Sequence, residues 1–344
     1  MTLPTSTKAI VFGCAGPKLT EEERAFFREA EPLGFILFRR NCENPGQVRR
    51  LVDDLRDSVG RADAPLLIDQ EGGRVLRLRA PNWWEAPAAG RIGDVATRDI
   101  DLASEAAALC ARLIAAQLQA LGITVDCAPC IDLRLPGMHE IVGDRGYHAD
   151  PAIVSRLGEA ACAGFRAGGV MPVIKHIPGH GRALVDSHDE LPVNNEPLDT
   201  LEASDFAPFR ALAASQGDGV WGMTCHLVFT AVDADRPATQ SRKLIEEVIR
   251  GRIGFNGVLA SDDISMKALQ GSLAERTAAS LQAGCDLVLH CNGDMNEMQD
   301  ALSGSRPLSE AAHARITRSF AALGPTEDFS FDEGLARLEK ILAG

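Results

Sequence analysis

The chain has 344 residues, 45% of them hydrophobic, and a formal net charge of −13; it is long enough for a large core and exceeds the usual single-core size of about 250 residues, although α/β barrels reach this length as one domain. The acidic balance and the dispersal of basic residues exclude a nucleic-acid surface. No apolar run approaches the roughly 20 residues that cross a bilayer, and residues 1–8 carry no apolar leader, so a cytoplasmic protein with no membrane partner is expected.

Apolar runs alternate with amphipathic ones from end to end, without a low-complexity linker. Strands are predicted at residues 9–12, 34–38, 65–69, 123–127, 170–176, 219–226, 257–262 and 286–290. Helical patterns fall near 21–30, 45–59, 101–121, 151–167, 201–214, 244–250 and 274–283, with more helix at the C-terminus. Eight strands with intervening helices predict an α/β fold, a single (β/α)8 TIM barrel over residues 1–344, whose C-terminal helical segment after about residue 305 packs on the barrel. An open doubly wound sheet would offer an early glycine fingerprint for phosphate. Gly13-Cys14-Ala15-Gly16, followed at once by Pro17, reads instead as a turn.

Nine cysteines, an odd number scattered over a long chain, do not form a disulfide framework. Cys127 and Cys130 have the spacing of a redox pair, but they follow a strand and run into Ile131-Asp132-Leu133 rather than opening a helix. They are read as packing residues.

Chemistry concentrates at predicted strand ends. Lys175-His176-Ile177-Pro178-Gly179-His180-Gly181 leaves a buried run, and Asp186-Ser187-His188 follows. In that loop Asp186 can hold one imidazole nitrogen of His188 and leave the other facing a substrate, which makes His188 a candidate acid/base. Ser261-Asp262-Asp263 ends another apolar run, and one of its two carboxylates can face the barrel mouth. A carboxylate opposite an acid/base is the arrangement that breaks a glycosidic bond. Asp69-Gln70-Glu71-Gly72-Gly73-Arg74-Val75, with Arg77 beyond it, and the loop holding Arg145 can bind sugar hydroxyls. His180 and His226 are expected to be hydrogen-bonded structural residues. There is no HExxH pair or zinc-type Cys/His array, so no metal is expected, and Ser187 lacks a nucleophile elbow.

Together, the motifs Asp69–Val75, Lys175–Gly181, Asp186–His188 and Ser261-Asp262-Asp263-Ile264-Ser265-Met266 resemble the bacterial β-N-acetylhexosaminidases of glycoside hydrolase family 3, in particular the cytoplasmic NagZ-like enzymes of peptidoglycan recycling. The resemblance runs from about residue 8 to residue 300. It implies Asp262 as nucleophile, His188 as acid/base with Asp186 as its partner, and Asp69, Arg77, Arg145, Lys175 and His176 as N-acetylglucosamine contacts. It further implies retention of configuration, no metal or organic cofactor, and N-acetylglucosaminyl-β-1,4-anhydro-N-acetylmuramic acid, with or without peptide, as substrate. Ile177 stands where the family pattern has an aromatic residue, and Cys130 occupies an apolar position; neither is a proposed catalytic group. Other readings of the same residues are a phosphorylase that transfers the sugar to phosphate and a non-catalytic muropeptide sensor. A monomer or weak homo-oligomer is expected, with Arg77, Arg145 and Lys175 making the site locally positive.

Overall fold

The computed structural model describes residues 3–344 apart from His139 and His188. Its strands are β1 (Lys8–Phe12), β2 (Pro32–Leu37), β3 (Leu66–Ile68), β4 (Val125–Asp126), β5 (Met171–Ile177), β6 (Val193–Asn194), β7 (Trp221–Thr224), β8 (Val228–Phe229), β9 (Asp233–Pro237), β10 (Leu259–Asp263) and β11 (Leu287–His290). Eight of them form a closed parallel barrel in the order β1-β2-β3-β4-β5-β7-β10-β11, with β11 pairing back onto β1. The fold is a (β/α)8 barrel, and each barrel strand overlaps one expected from the apolar runs.

The helices begin where local chemistry starts them. Thr20 and Glu23 form a reciprocal capping box ahead of Glu21–Ala30. Asn44 and Asp150 each cap a helix whose first residue is proline, Pro45–Ser58 and Pro151–Ala167. Among the described residues no helix is long and apolar enough to cross a membrane.

The sequence reading differs from the structure in several places, the unpredicted helices Ala89–Ala96 and Met295–Ser303 among them. The single helix expected over 201–214 is two, Leu198–Ala203 and Phe206–Gln216. At the break, buried Asp205 accepts from Arg182 Nε at 2.7 Å and from the Ser204 hydroxyl at 2.7 Å, so a tertiary ion pair overrides helical continuity. Residues 244–250 belong to a π-helical stretch, Leu244–Arg252, rather than a regular α-helix. The short strands β6, β8 and β9 form a separate three-stranded sheet that the pattern did not announce. The two-residue strands β6 and β8 carry no readable period, and β9 is polar and mostly exposed.

The core has two layers. Inside the barrel, Val11, Ile36, Leu67, Val125, Met171 and Trp221 pack on one another, while a larger apolar layer joins the outer strand faces to the helices. Trp221, the first residue of β7, donates its indole N–H to Ser319 at 2.8 Å and meets the Phe320 ring edge-on at 5.8 Å. Helix Glu310–Ala321 thereby covers the N-terminal end of the barrel and leaves the opposite mouth for the polar strand ends.

Candidate active site

A cavity of about 270 Å³ opens at the C-terminal mouth, and Asp69, Arg77, Arg145, Lys175, His176 and Asp262 all line it. Six of the eight site residues expected from the sequence are thus brought together from four regions of the chain. Asp186 is half-buried in the loop after β5, next to Ser187, which lines the cavity. His188 lies outside the described residues.

On the β3 and β5 side the floor is ionic. Lys175 Nζ lies 2.8 Å from Asp69 Oδ1 and 2.5 Å from Glu71 Oε1. Arg77 Nη2 donates to Asp69 Oδ2 at 3.0 Å, and Arg145 grips Glu71 with two bonds of 2.8 and 2.9 Å. Burial disfavours ionisation of both carboxylates, but the cations outweigh it: Lys175 and Arg77 hold Asp69 well below the usual range, and Arg145 and Lys175 pull Glu71 down to about 2. The expectation of a locally positive site is corrected: Lys175, Arg77 and Arg145 share the cavity with three carboxylates, Asp69, Glu71 and Asp262, so the charges balance. Phe38, also on the cavity wall, carries Arg77 at 4.8 Å and Arg40 at 5.1 Å from its ring centroid.

Strict alternation along β5 would send Lys175 and His176 to opposite faces. The β5–β7 register shifts between Lys175 and Ile177, and both side chains reach the cavity. Asp132, six residues beyond β4, anchors this turn. It accepts the backbone N–H groups of His176 at 3.1 Å and His180 at 2.6 Å, and its Oδ2 lies 2.6 Å from His176 Nδ1. Burial opposes the Asp132 charge, but His176 and His180 keep its carboxyl well below the usual range. With Nδ1 donating to Asp132, His176 presents Nε2 toward Arg145, 3.5 Å away. Cys130, Asp132 and His176 place ligand-type atoms within 4.8 Å of one another, but the Asp132 oxygens are already engaged by three N–H groups. The trio therefore reads as a hydrogen-bonded support. All nine cysteines are buried and unlinked, including Cys127 and Cys130.

The two aspartates at the end of β10 part company. Asp263 is a turn cap: its Oδ1 accepts the Ser265 N–H at 3.0 Å and its Oδ2 the Ser265 hydroxyl at 2.7 Å. Asp262 faces the cavity with Oδ1 held at 2.7 Å by the Asp263 N–H, and its Oδ2 accepts no hydrogen bond from any other described residue. Burial works against its charge, yet His176, His226 and the Asp263 N–H bring its pKa below the ordinary value. An ionised carboxylate with one uncommitted oxygen is suited to nucleophilic attack.

The loop after β5 is built by close approaches. Gly179 has φ +139, and a Cβ there would stand 2.9 Å from Asp205 Cβ; a Cβ on Gly181 would stand 2.4 Å from the Leu133 carbonyl oxygen. Farther along, the Ser187 carbonyl accepts the Ala268 N–H at 3.3 Å, and Asp189 pairs with Lys267 at 3.3 Å. The turn after β10 thus holds the segment on either side of residue 188. His180 is buried with its Nδ1 unpartnered among the described residues, and burial pushes it down to about 4.

The sequence reading did not single out Glu71, Asp132 or Phe38. Glu71 lay within a motif already noted, and Asp132 sits six residues past β4, two beyond the Cys130 bridge to Lys175, where the strand-end rule does not reach. Phe38 gave no signal, since one aromatic residue ending a strand is ordinary.

The family model for the glycosyl hydrolase family 3 N-terminal domain matches residues 7–319. A β-hexosaminidase of Bordetella avium is 37% identical over 287 residues, covering 82% of this chain and 80% of its own. The crystal structure of NagZ from Neisseria gonorrhoeae in complex with N-trifluoroacetyl-D-glucosamine superposes with a TM-score of 0.86 at 32% identity, over 98% of each chain. A family 3 β-N-acetylglucosaminidase from Paenibacillus gives a TM-score of 0.83 at 31% identity over 97% of this chain, which spans 66% of that longer one. By sequence, by barrel topology and by near end-to-end superposition, the chain belongs to glycosyl hydrolase family 3, among its NagZ-like members.

Proposed function

We propose that the protein is a retaining exo-β-N-acetylglucosaminidase that removes terminal N-acetylglucosamine from peptidoglycan fragments, GlcNAc-β-1,4-anhydroMurNAc with or without peptide, in cytoplasmic cell-wall recycling. The observation that carries this reading is Asp262, ionised, held through one oxygen, and facing a cavity whose opposite wall is Asp69, Lys175 and Arg77. In the first step Asp262 Oδ2 attacks the anomeric carbon, the glycosidic bond breaks, and His188 gives its proton to the departing oxygen. In the second, His188 takes a proton from water as that water attacks the glycosyl-Asp262 ester, which returns the carboxylate and releases the sugar with its configuration retained. Asp186 orients His188. Asp69, Arg77, Arg145, Lys175 and His176 hold the sugar, with Glu71 and Asp132 fixing the cations and the ring from behind.

The reading is supported by the relatives, one a β-hexosaminidase and one a NagZ solved with an N-acylated glucosamine. It is tested by steady-state release of an aryl group from paired β-N-acetylglucosaminide and β-glucoside substrates in phosphate-free buffer, followed by anhydromuropeptides. Strong preference for the N-acetyl sugar with free sugar as product is the expected result. Turnover that requires phosphate and yields sugar 1-phosphate would replace hydrolysis by phosphorolysis, and binding without turnover would make the barrel a sensor.

A further inference from the structure

The geometry points to His226 as a positioning residue for Asp262: a buried ring whose Nε2–H clamps the backbone carrying the nucleophile, with Thr239 holding its other nitrogen. His226 follows β7 and is fully buried. Its Nε2 lies 3.0 Å from the Asp263 carbonyl oxygen and its Nδ1 2.7 Å from Thr239 Oγ1. A carbonyl oxygen only accepts, so Nε2 carries hydrogen; in a neutral ring Nδ1 is then an acceptor, and the Thr239 hydroxyl can donate to it.

Thr239 Oγ1 has two other neighbours, Thr224 Oγ1 at 2.8 Å and the Cys225 carbonyl oxygen at 3.0 Å. A hydroxyl has one hydrogen to give. Were it given to Cys225, both ring nitrogens would need hydrogen and the imidazole would be a buried cation. Asp262 and Asp263 favour that cation, but burial, aided by His176, pushes the ring below its ordinary value. Whichever of the two the Thr239 hydroxyl serves, His226 Nε2–H donates to the Asp263 carbonyl, and Thr239 stays within hydrogen-bond distance of Nδ1.

The far end of this chain is the residue that holds the nucleophile. Asp263 supplies the N–H on Asp262 Oδ1, while Ser265 grips its carboxylate and His226 its carbonyl. With side chain and carbonyl both fixed, residue 263 cannot rotate, and its N–H keeps Asp262 Oδ2 turned to the cavity. In the other tautomer a nitrogen lone pair would face the Asp263 carbonyl oxygen, and two acceptors at that distance repel. Displacing a reacting atom by about 1 Å can cost on the order of 100-fold in rate.

This inference rests on Asp262 being the nucleophile, and the experiment separates the two. In the full-length enzyme, Thr239→Val removes the hydroxyl at near-constant volume and Thr239→Ser retains it. With a dinitrophenyl β-N-acetylglucosaminide, Thr239→Val is expected to lower kcat about 10-fold to 100-fold with KM held within about threefold, and Thr239→Ser to regain most of that loss. A Thr239→Val enzyme with kcat within about twofold of the parent, equal losses in both variants, or an effect confined to KM would overturn the clamp. If Thr239→Val does not fold, His226→Gln, whose amide N–H can stand in for Nε2–H, is compared with His226→Leu; a clear advantage for Gln supports the clamp and equal kcat overturns it. Asp262→Gly is measured alongside with added azide. Loss of turnover and an α-glycosyl azide product uphold the nucleophile, so that a flat Thr239 response then refutes the clamp alone, whereas undiminished turnover refutes both.

Discussion

The two halves of the barrel mouth hold their carboxylates by opposite means. On the β3 and β5 side, Asp69 and Glu71 are met by Lys175, Arg77 and Arg145, ion to ion. On the β7 and β10 side, Asp262 is held by one backbone N–H, and the support behind it is a chain of hydroxyls and a buried imidazole. Ion pairs use up the acceptor capacity of a carboxylate and make a rigid wall. A single dipole leaves one oxygen uncommitted, as a nucleophile requires.

The sharpest way to break this comparison is to remove the uncommitted carboxylate. Asp262→Ala should lower kcat by about 10⁴-fold or more on any β-N-acetylglucosaminide, with folding intact by circular dichroism. An enzyme that keeps even a tenth of its turnover would move the nucleophile elsewhere. His188→Ala should cost about 10²-fold to 10³-fold with a sugar leaving group and much less in the first step with dinitrophenolate, which needs no proton. Equal losses across a leaving-group series would remove His188 from the acid role.

The ionic half should respond in stability before rate. Glu71→Gln leaves Lys175 and Arg145 short of a buried partner, and the unfolding free energy should fall by about 3 kcal/mol or more in urea titrations. A change below about 1 kcal/mol would mean that water enters the floor and screens it. The same pair sets an acid limit. Glu71 is held at about 2 against an ordinary 4.5, so its folded-state pKa is depressed. Its stabilisation is present above about pH 4.5 and is lost as the pH falls toward 2. Thermal midpoints over that range should drop less steeply in Glu71→Gln than in the parent. His180, held at about 4 against 6.5, acts at higher pH: the unfolded chain binds the proton first, so stability declines as the pH falls from 6.5 toward 4. The smallest effect belongs to the exposed pair over the loop, where Lys267→Ala should change stability by less than about 0.5 kcal/mol because both partners are 74% exposed.

Period and punctuation in the sequence were enough for the barrel, because a strand buried on both faces must be an apolar run and a helix covering it must be amphipathic. They also marked the strand ends where polar residues gather, Asp69, Lys175, His176 and Asp262 among them, since a charged residue closing a buried strand has only the mouth to face. Apart from the family resemblance, the residues themselves did not tell Asp262 from Asp263: the choice depends on which carboxylate Ser265 captures and which the Asp263 N–H holds, and adjacent residues differ there only by the path of the backbone. The sequence did not show that Glu71 pairs with both Lys175 and Arg145, because those partners lie 104 and 74 positions away along the chain and meet only when the barrel closes. Nor did it show the hydrogen-bonded row of Thr224, Thr239 and His226 behind Asp263. Local sequence decides which segments become strands and helices; distance, burial and the count of available hydrogens decide the state of each group at the mouth, and these exist only in the closed barrel.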